Sequence, residues 1–207
     1  MTTVIFSGGM APARRVVAAL PPDRFVIAAD SGLDHAHLLG VAVDLLVGDL
    51  DSVTPENIPL ARRVERHPID KDATDLELAL EAASVRGERT IIVAGGGGRL
   101  DHLLAEVALV GHPRWAALDV DAWFGETHVV PIHAGQMRTV AGAVGSVITL
   151  LAIGGPARGI HTLGLRWQLA DDTLQSATTR GVSNIFVASE ASVRVGSGTV
   201  LVVIPEP

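Results

Sequence analysis

The 207-residue sequence contains no cysteine. Disulfides, thiolate metal sites and a cysteine nucleophile are therefore excluded. No apolar run approaches the ~20 residues that a membrane-spanning helix needs. Met1-Thr2-Thr3-Val4 lacks the basic region and long apolar core of a signal peptide. A soluble cytoplasmic protein with no membrane partner is the expectation. Lysine is almost missing as well: of 16 basic residues only Lys71 is a lysine. An excess of positive charge is also lacking. The net charge of −7 argues against a broad nucleic-acid surface. It leaves room for an anionic substrate, because a bound cation inverts the local field. What is plentiful is apolar surface: 48% of residues are hydrophobic and 19% charged, which suits a sizeable core and not disorder.

The first half alternates apolar runs with helical patterns. Val4-Ile5-Phe6 runs into Ser7-Gly8-Gly9, and Pro12 to Leu20 reads as a helix with proline in its first turn. Strands are expected at Phe25–Ala29, Leu45–Val47, Val64–His67, Thr90–Ala94 and Ala117–Phe124. Helices are expected at Leu33–Leu39, around Pro55–Leu60, at Asp75–Arg86 and at Leu100–Val110. This alternation predicts an α/β domain over residues 1–125, with a mostly parallel, Rossmann-like sheet. From residue 126 to 207 the pattern is short strands and turns, as in an all-β sandwich or barrel. Gly154-Gly155-Pro156, Asp171-Asp172 and Gly196-Ser197-Gly198 read as separators there, with strands at Ser146–Ile153 and Leu165–Leu169 among others.

Three clusters carry candidate chemistry. The central one is Val47-Gly48-Asp49-Leu50-Asp51-Ser52. Ligands of open α/β sheets collect beyond the carboxyl ends of the strands, where Asp49 and Asp51 emerge. Were extended geometry to persist through Leu50, the two side chains would share one face. Two carboxylates on one face call for a hard cation such as Mg²⁺. A strand end followed by an Asp/Ser turn fits the same residues.

The second cluster is Asp70-Lys71-Asp72-Ala73-Thr74-Asp75, with Glu77 following. Thr74 and Glu77 fit a capping box, and first-turn acids suit the helix dipole. Capping does not account for Lys71, Asp72 and the His67-Pro68-Ile69 approach, so Asp75 is read as functional. The third is Gly95-Gly96-Gly97-Gly98-Arg99-Leu100-Asp101-His102, between a strand and a helix. Glycines let backbone approach a ligand, helix amides bind phosphate, and Arg99 offers a charged fork. It is neither a Walker loop nor a dinucleotide fingerprint; a flexible turn is the plainer reading. Asp30 opens at the same sheet edge, or caps the Leu33 helix. The histidines lack ligand spacing and are left as surface or packing residues.

Taken in order, these segments resemble thiamine pyrophosphokinase (thiamine diphosphokinase). The resemblance runs through Ala28-Ala29-Asp30-Ser31-Gly32, Asp44 to Ser52, Lys71-Asp72-Ala73-Thr74-Asp75 and Gly98-Arg99-Leu100-Asp101-His102. It continues in Thr162 to Leu169 and in Gly181-Val182-Ser183-Asn184. The resemblance implies a Mg²⁺-dependent transfer of a pyrophosphoryl group from ATP to the thiamine hydroxyl, with release of AMP. It implies a homodimer with thiamine in a cleft where subunits meet, the β domain contributing to thiamine binding and dimerisation. Asp49, Asp51 and Asp75 would bind metal and, with Asp101, form the catalytic set. Asp30, Lys71, Asp72, Gly97, Gly98 and Arg99 would lie around the nucleotide phosphates. Trp167 would stack on thiamine, helped by Ser183 and Asn184, although Trp167 also fits a core aromatic of the β domain.

Two positions depart from the family pattern. Val43 stands where proline usually precedes the aspartate, and Glu106 where asparagine often follows the Asp-His helix start. Two rival readings remain. One is the same transfer onto another heterocyclic alcohol, such as a hydroxymethyl pterin. The other is a non-catalytic nucleotide- or thiamine-binding regulator, against which the crowded carboxylates argue.

Overall fold

The computed structural model describes residues 1–205. The chain divides into two compact units, Met1–Glu106 with Ala117–Gly125, and Val107–Ala116 with Glu126 onward. Where the sequence reading sets one boundary, after residue 125, residues 107–116 group with the second unit.

The first unit is built on strands β1 (Thr2–Phe6), β2 (Arg24–Ala29), β3 (Leu45–Gly48), β4 (Val64–Arg66), β5 (Thr90–Ala94) and β6 (Asp121–Phe124). Their order is β4-β3-β2-β1-β5-β6, and the pairings are parallel. Val4, Phe6, Val26, Ala28, Leu46, Ile91 and Val93 form one core with Leu33 and Ala36. Strands buried on both faces read as continuous apolar runs, which is why they are visible in the sequence. The connecting helices are α1 (Arg14–Ala18), α2 (Gly32–Leu38), α3 (Asp75–Arg86) and α4 (Leu100–Val110). The expected α1 is trimmed at both ends, and Pro55–Leu60 is a 3₁₀ segment. α3 has the expected bounds. Thr74 Oγ1 accepts from the Glu77 amide at 3.3 Å, and Gly87 closes the helix at φ +65°. Leu76, Ala79, Leu80 and Ala83 form its buried stripe.

The chain builds outward from β1 through β2 and β3 to β4, then returns to place β5 on the other side of β1. That reversal puts a topological switch point between β1 and β5, where ligands of parallel sheets bind. The loops leaving both strands are glycine-rich, Ser7-Gly8-Gly9 and Gly95–Gly98.

The second unit holds β7 (Thr127–His133), β8 (Met137–Ala141), β9 (Val147–Leu163), β10 (Ala170–Leu174), β11 (Asn184–Ile185), β12 (Glu190–Arg194) and β13 (Ser197–Ile204). Its pairings are antiparallel. Alternate residues such as Val130 and Ile132, Ala191 and Val193, and Val200, Val202 and Ile204 line one core.

Three sequence expectations fail here. Gly154-Gly155-Pro156 does not end a strand. β9 continues through it, pairing with β13 through Thr149–Ile153 and with β12 through His161–Leu163. Gly154 at φ +71° and Gly155 at φ +150° bend the strand so that it serves both partners. Asp171-Asp172 is not a separator but part of β10, while Leu165 to Leu169 holds only an isolated Leu165–Phe186 bridge. Asp172 satisfies local groups, accepting from the Ala170 amide at 3.2 Å and from Arg180 Nη2 at 2.5 Å, so two acids fit an irregular edge.

Candidate active site

The carboxyl ends of β2 and β3 bring Asp30, Asp49 and Asp51 together, Asp75 at the start of α3 lies beside them, and Gly48 makes the crowding possible. Its φ is +148°, and a Cβ there would stand 2.9 Å from Asp75 Oδ1 and 3.3 Å from the Asp30 Cβ.

Asp49 and Asp51 converge by a different route from the one expected. The extended geometry stops at Gly48: Leu50 has φ +68°, and the Asp51 amide donates to Asp49 Oδ1 at 3.1 Å. This is an Asx-type turn, not a pleat. A left-handed leucine costs about 1–2 kcal/mol. Burying its side chain, as Leu50 does in the first unit's core, contributes about 1.5–3 kcal/mol and offsets that.

Asp30 is 7% exposed and adopts φ +48°. Its side chain does not cap α2; Ser31 occupies that position. Asp30 Oδ1 is buried without a hydrogen-bond partner. One oxygen each from Asp30, Asp49 and Asp51 lies within 4.8 Å of the others. Burial pushes the Asp30 carboxyl above its ordinary range, and Asp75 and Asp49 add to the rise; the Ser31 amide and Ser52 hydroxyl pull against it. An orphaned buried oxygen beside two further carboxylates is a donor set suited to a hard divalent cation.

Lys71 binds this cluster. Its Nζ donates to Asp49 Oδ2 and lies 3.2 Å from Asp75 Oδ1. The hydrogen bond from Lys71 holds the Asp49 carboxyl below the usual range. Burial works against the lysine's charge, and its contacts with Asp49 and Asp75 outweigh it, raising its pKa. Asp72, next in the chain, is exposed.

The four glycines after β5 have close neighbours of their own. A Cβ on Gly95 would meet the Met10 carbonyl oxygen at 1.9 Å, and one on Gly96 the Phe124 carbonyl carbon at 2.5 Å. Gly97 abuts the Met10 sulfur, while Gly98 has φ +89°. Tight packing of two loops thus accounts for Gly95 and Gly96 without any ligand. Arg99 is turned to Asp101 in a two-pronged pair, at 3.2 Å and 2.6 Å. That fork lowers the Asp101 carboxyl to about 2, which makes Asp101 a poor proton acceptor near neutral pH.

The candidate residues of the second unit have a different character. Trp167 is 56% exposed, so it is not a core aromatic. The Arg166 guanidinium lies 5.2 Å from its ring centroid. Asn184 is buried, and its amide clasps the backbone of Trp167: Oδ1 accepts from the Trp167 amide at 3.1 Å and Nδ2 donates to its carbonyl at 2.7 Å. Asn184 therefore presents Trp167. Ser183 is exposed at φ +59°, its amide donating to Thr149 Oγ1 at 3.0 Å.

Sequence reasoning missed Asp34 and the Ser7–Glu106 pair. Asp34 accepts from the Thr54 amide at 3.0 Å, the Thr54 hydroxyl at 2.9 Å and Asn57 Nδ2 at 2.7 Å, anchoring the loop that follows Asp51. Its partners lie some twenty residues away, beyond any local signal. The Ser7 hydroxyl donates to Glu106 Oε1 at 2.8 Å, so Glu106 reaches the end of β1. Burial raises the Glu106 carboxyl, and Ser7 and His102 pull it back. The glycine pair after Ser7 is the signal that marks this strand end. Val43 is buried in the core of the first unit.

Comparison with known proteins adds to this geometry. The family model "Thiamin pyrophosphokinase, catalytic domain" matches residues 19–120, and "Thiamin pyrophosphokinase, vitamin B1 binding domain" matches residues 136–200. Thiamine pyrophosphokinase 1 of Oryza sativa subsp. japonica is 27% identical over 176 residues, covering 77% of this chain and 64% of that protein's length. The fold is that of solved thiamine pyrophosphokinases. The Bacillus subtilis structure superposes with a TM-score of 0.85 at 19% identity, with both chains fully covered. The Enterococcus faecalis family protein does so at 0.81 and 22% identity, over 100% of this chain and 99% of that one. With both domain models matched in chain order, and the acidic strand ends lying inside the first, this chain belongs to the thiamine pyrophosphokinase family.

Proposed function

We propose that this protein transfers the pyrophosphoryl group of ATP to the hydroxyl of thiamine, yielding thiamine diphosphate and AMP. The observation that carries the proposal is the gathering of Asp30, Asp49 and Asp51 at adjoining strand ends, beside a switch point with glycine-rich loops on both strands. In this reading the first unit is a Rossmann-like nucleotide domain and the second a thiamine-binding and dimerisation domain, with the boundary near residue 125. The working form is a cytoplasmic homodimer. Among the described residues no helix is long and apolar enough to cross a membrane.

Asp30, Asp49 and Asp51 would hold Mg²⁺, with Asp75 beside them. A divalent cation there supplies charge neutralisation for the triphosphate. The new bond joins the thiamine oxygen to the β-phosphorus, the bond from that phosphorus to the AMP oxygen breaks, and the hydroxyl proton is released to solvent. Lys71, Asp72 and the loop at Gly97 and Gly98 flank the phosphates. Arg99 becomes a phosphate ligand by exchanging Asp101 for phosphate oxygen, which its planar fork accepts equally well. Asp101 thus holds Arg99 in place until the phosphate arrives. Trp167 offers its exposed ring to the flat heterocycle, Asn184 fixes its backbone, and Ser183 stands beside them.

Product analysis after mixing the protein with ATP, Mg²⁺ and thiamine tests the reading. Thiamine diphosphate with equimolar AMP is expected. ADP with thiamine monophosphate would refute the transfer type. Turnover with a hydroxymethyl pterin and none with thiamine would refute the acceptor. Absence of turnover with either would favour a binding regulator.

A further inference from the structure

Lys71 stands apart in three respects. Every other basic residue of the chain is an arginine. Its side chain is only 14% exposed, although it leaves a loop whose neighbours Asp70 and Asp72 are exposed. Its Nζ engages Asp49 Oδ2 and Asp75 Oδ1, so it ties an aspartate of the three-carboxylate group to the one that crowds against Gly48.

Those contacts conflict with cation binding. A divalent ion such as Mg²⁺ takes carboxylate oxygens at about 2.1 Å, and an ammonium takes them at about 2.8 Å. A cation held by Asp30, Asp49 and Asp51 would share Asp49 with the ammonium, so the two charges would stand within a few ångströms of each other and repel. The ammonium is the one free to move. Lysine is suited to leaving: it is a compact charge on a flexible four-carbon stem, whereas arginine grips a carboxylate with a rigid two-pronged fork.

We propose that Lys71 is a displaceable counter-ion: its ammonium binds Asp49 and Asp75 together, and a divalent cation expels it from between them. The inference rests on the metal reading given above. Expulsion swings Nζ outward past Asp72, so that one positive charge is exchanged for two within the cluster. Lys71 is thus a positioning residue that keeps like-charged carboxylates packed and sets the affinity for the cation.

The single lysine makes the test direct. The full chain, freed of metal by chelation, is reductively methylated with formaldehyde and cyanoborohydride with and without Mn²⁺. Modification of Lys71 is followed by peptide mass spectrometry, with the Met1 amine as internal reference. Mn²⁺ binding is measured in parallel by electron paramagnetic resonance. Saturating Mn²⁺ is expected to speed methylation of Lys71 relative to Met1, and Lys71→Met to tighten Mn²⁺ binding by roughly tenfold or more, because no resident charge competes. Bound Mn²⁺ with an unchanged or slower methylation rate would overturn the proposal. So would equal or weaker Mn²⁺ binding by a folded Lys71→Met chain. If Lys71→Met does not fold, the methylation of the unaltered protein decides alone. Failure of the unaltered protein to bind Mn²⁺ at all would instead overturn the metal reading itself, and this inference with it.

Discussion

The two candidate regions solve opposite problems. At the ends of β2 and β3, charges are packed together: Asp30 is 7% exposed and the Asp49 and Lys71 side chains 9% and 14%. At Trp167 an apolar ring is left in the open, 56% exposed, on a backbone clasped by the buried Asn184. In the proposed reaction the acidic region would need rigid oxygens shielded from water, since electrostatic stabilisation strengthens where water is excluded. The aromatic region needs only a fixed platform, since stacking tolerates some variation in its partner. Substitutions in the first should therefore change chemistry, and those in the second should change affinity.

The largest expected effect is on turnover in Asp51→Asn. If Asp51 holds the cation as proposed, its loss removes several kcal/mol of transition-state stabilisation, on the order of a thousandfold in kcat. Because Asp51 is exposed, its melting temperature should stay near that of the unaltered protein. A melt lowered as far as by a core substitution would erase the distinction between the regions. Next comes Gly48→Ala. Its positive φ and the 2.9 Å approach to Asp75 should cost about 1–3 kcal/mol of stability and part of the turnover, as read by denaturant unfolding and initial rates.

Trp167→Ala should raise the KM for thiamine by roughly tenfold, the size of one stacking contact, while leaving the KM for ATP and the melting temperature alone. Equal effects on both substrates would make Trp167 structural. Asn184→Ala sharpens the point: it should reproduce the thiamine effect and also cost about 1–3 kcal/mol, since it strands the partly buried backbone groups of Trp167.

The smallest expected effect is a change in pH dependence in Glu106→Gln. Burial raises the folded Glu106 carboxyl above its ordinary range, so the folded state binds this proton more tightly than the unfolded one. Its contribution to stability is greatest at low pH and declines as pH rises from the unfolded value through the raised folded one. Glu106→Gln should flatten that decline, gaining on the unaltered protein at pH 8 and not at pH 4 in urea melts. An unchanged slope would show that Ser7 keeps this carboxyl in its ordinary range.

Much of the first unit is readable by periodicity, as the bounds of α3, β5 and α4 illustrate. Buried parallel strands leave continuous apolar runs, and Thr74 and Gly87 mark the ends of a helix chemically. In the second unit, glycine misleads. Gly154-Gly155 looks like a turn and is a bend inside β9, because only the partner strands β13 and β12 settle whether the chain reverses or continues.

By itself, the sequence determined the α/β-then-β order of elements and the excess of acid, and it marked Asp49, Asp51, Asp75 and Trp167 as candidates. It did so because propensity, capping and burial leave marks within a few residues. Only the tertiary structure decided that Leu50 turns left-handed to bring Asp49 onto Asp51, that Asp30 joins them, and that Asn184 presents Trp167. These are contacts between residues up to tens of positions apart, and the burial energy that holds them exists only once the core has formed.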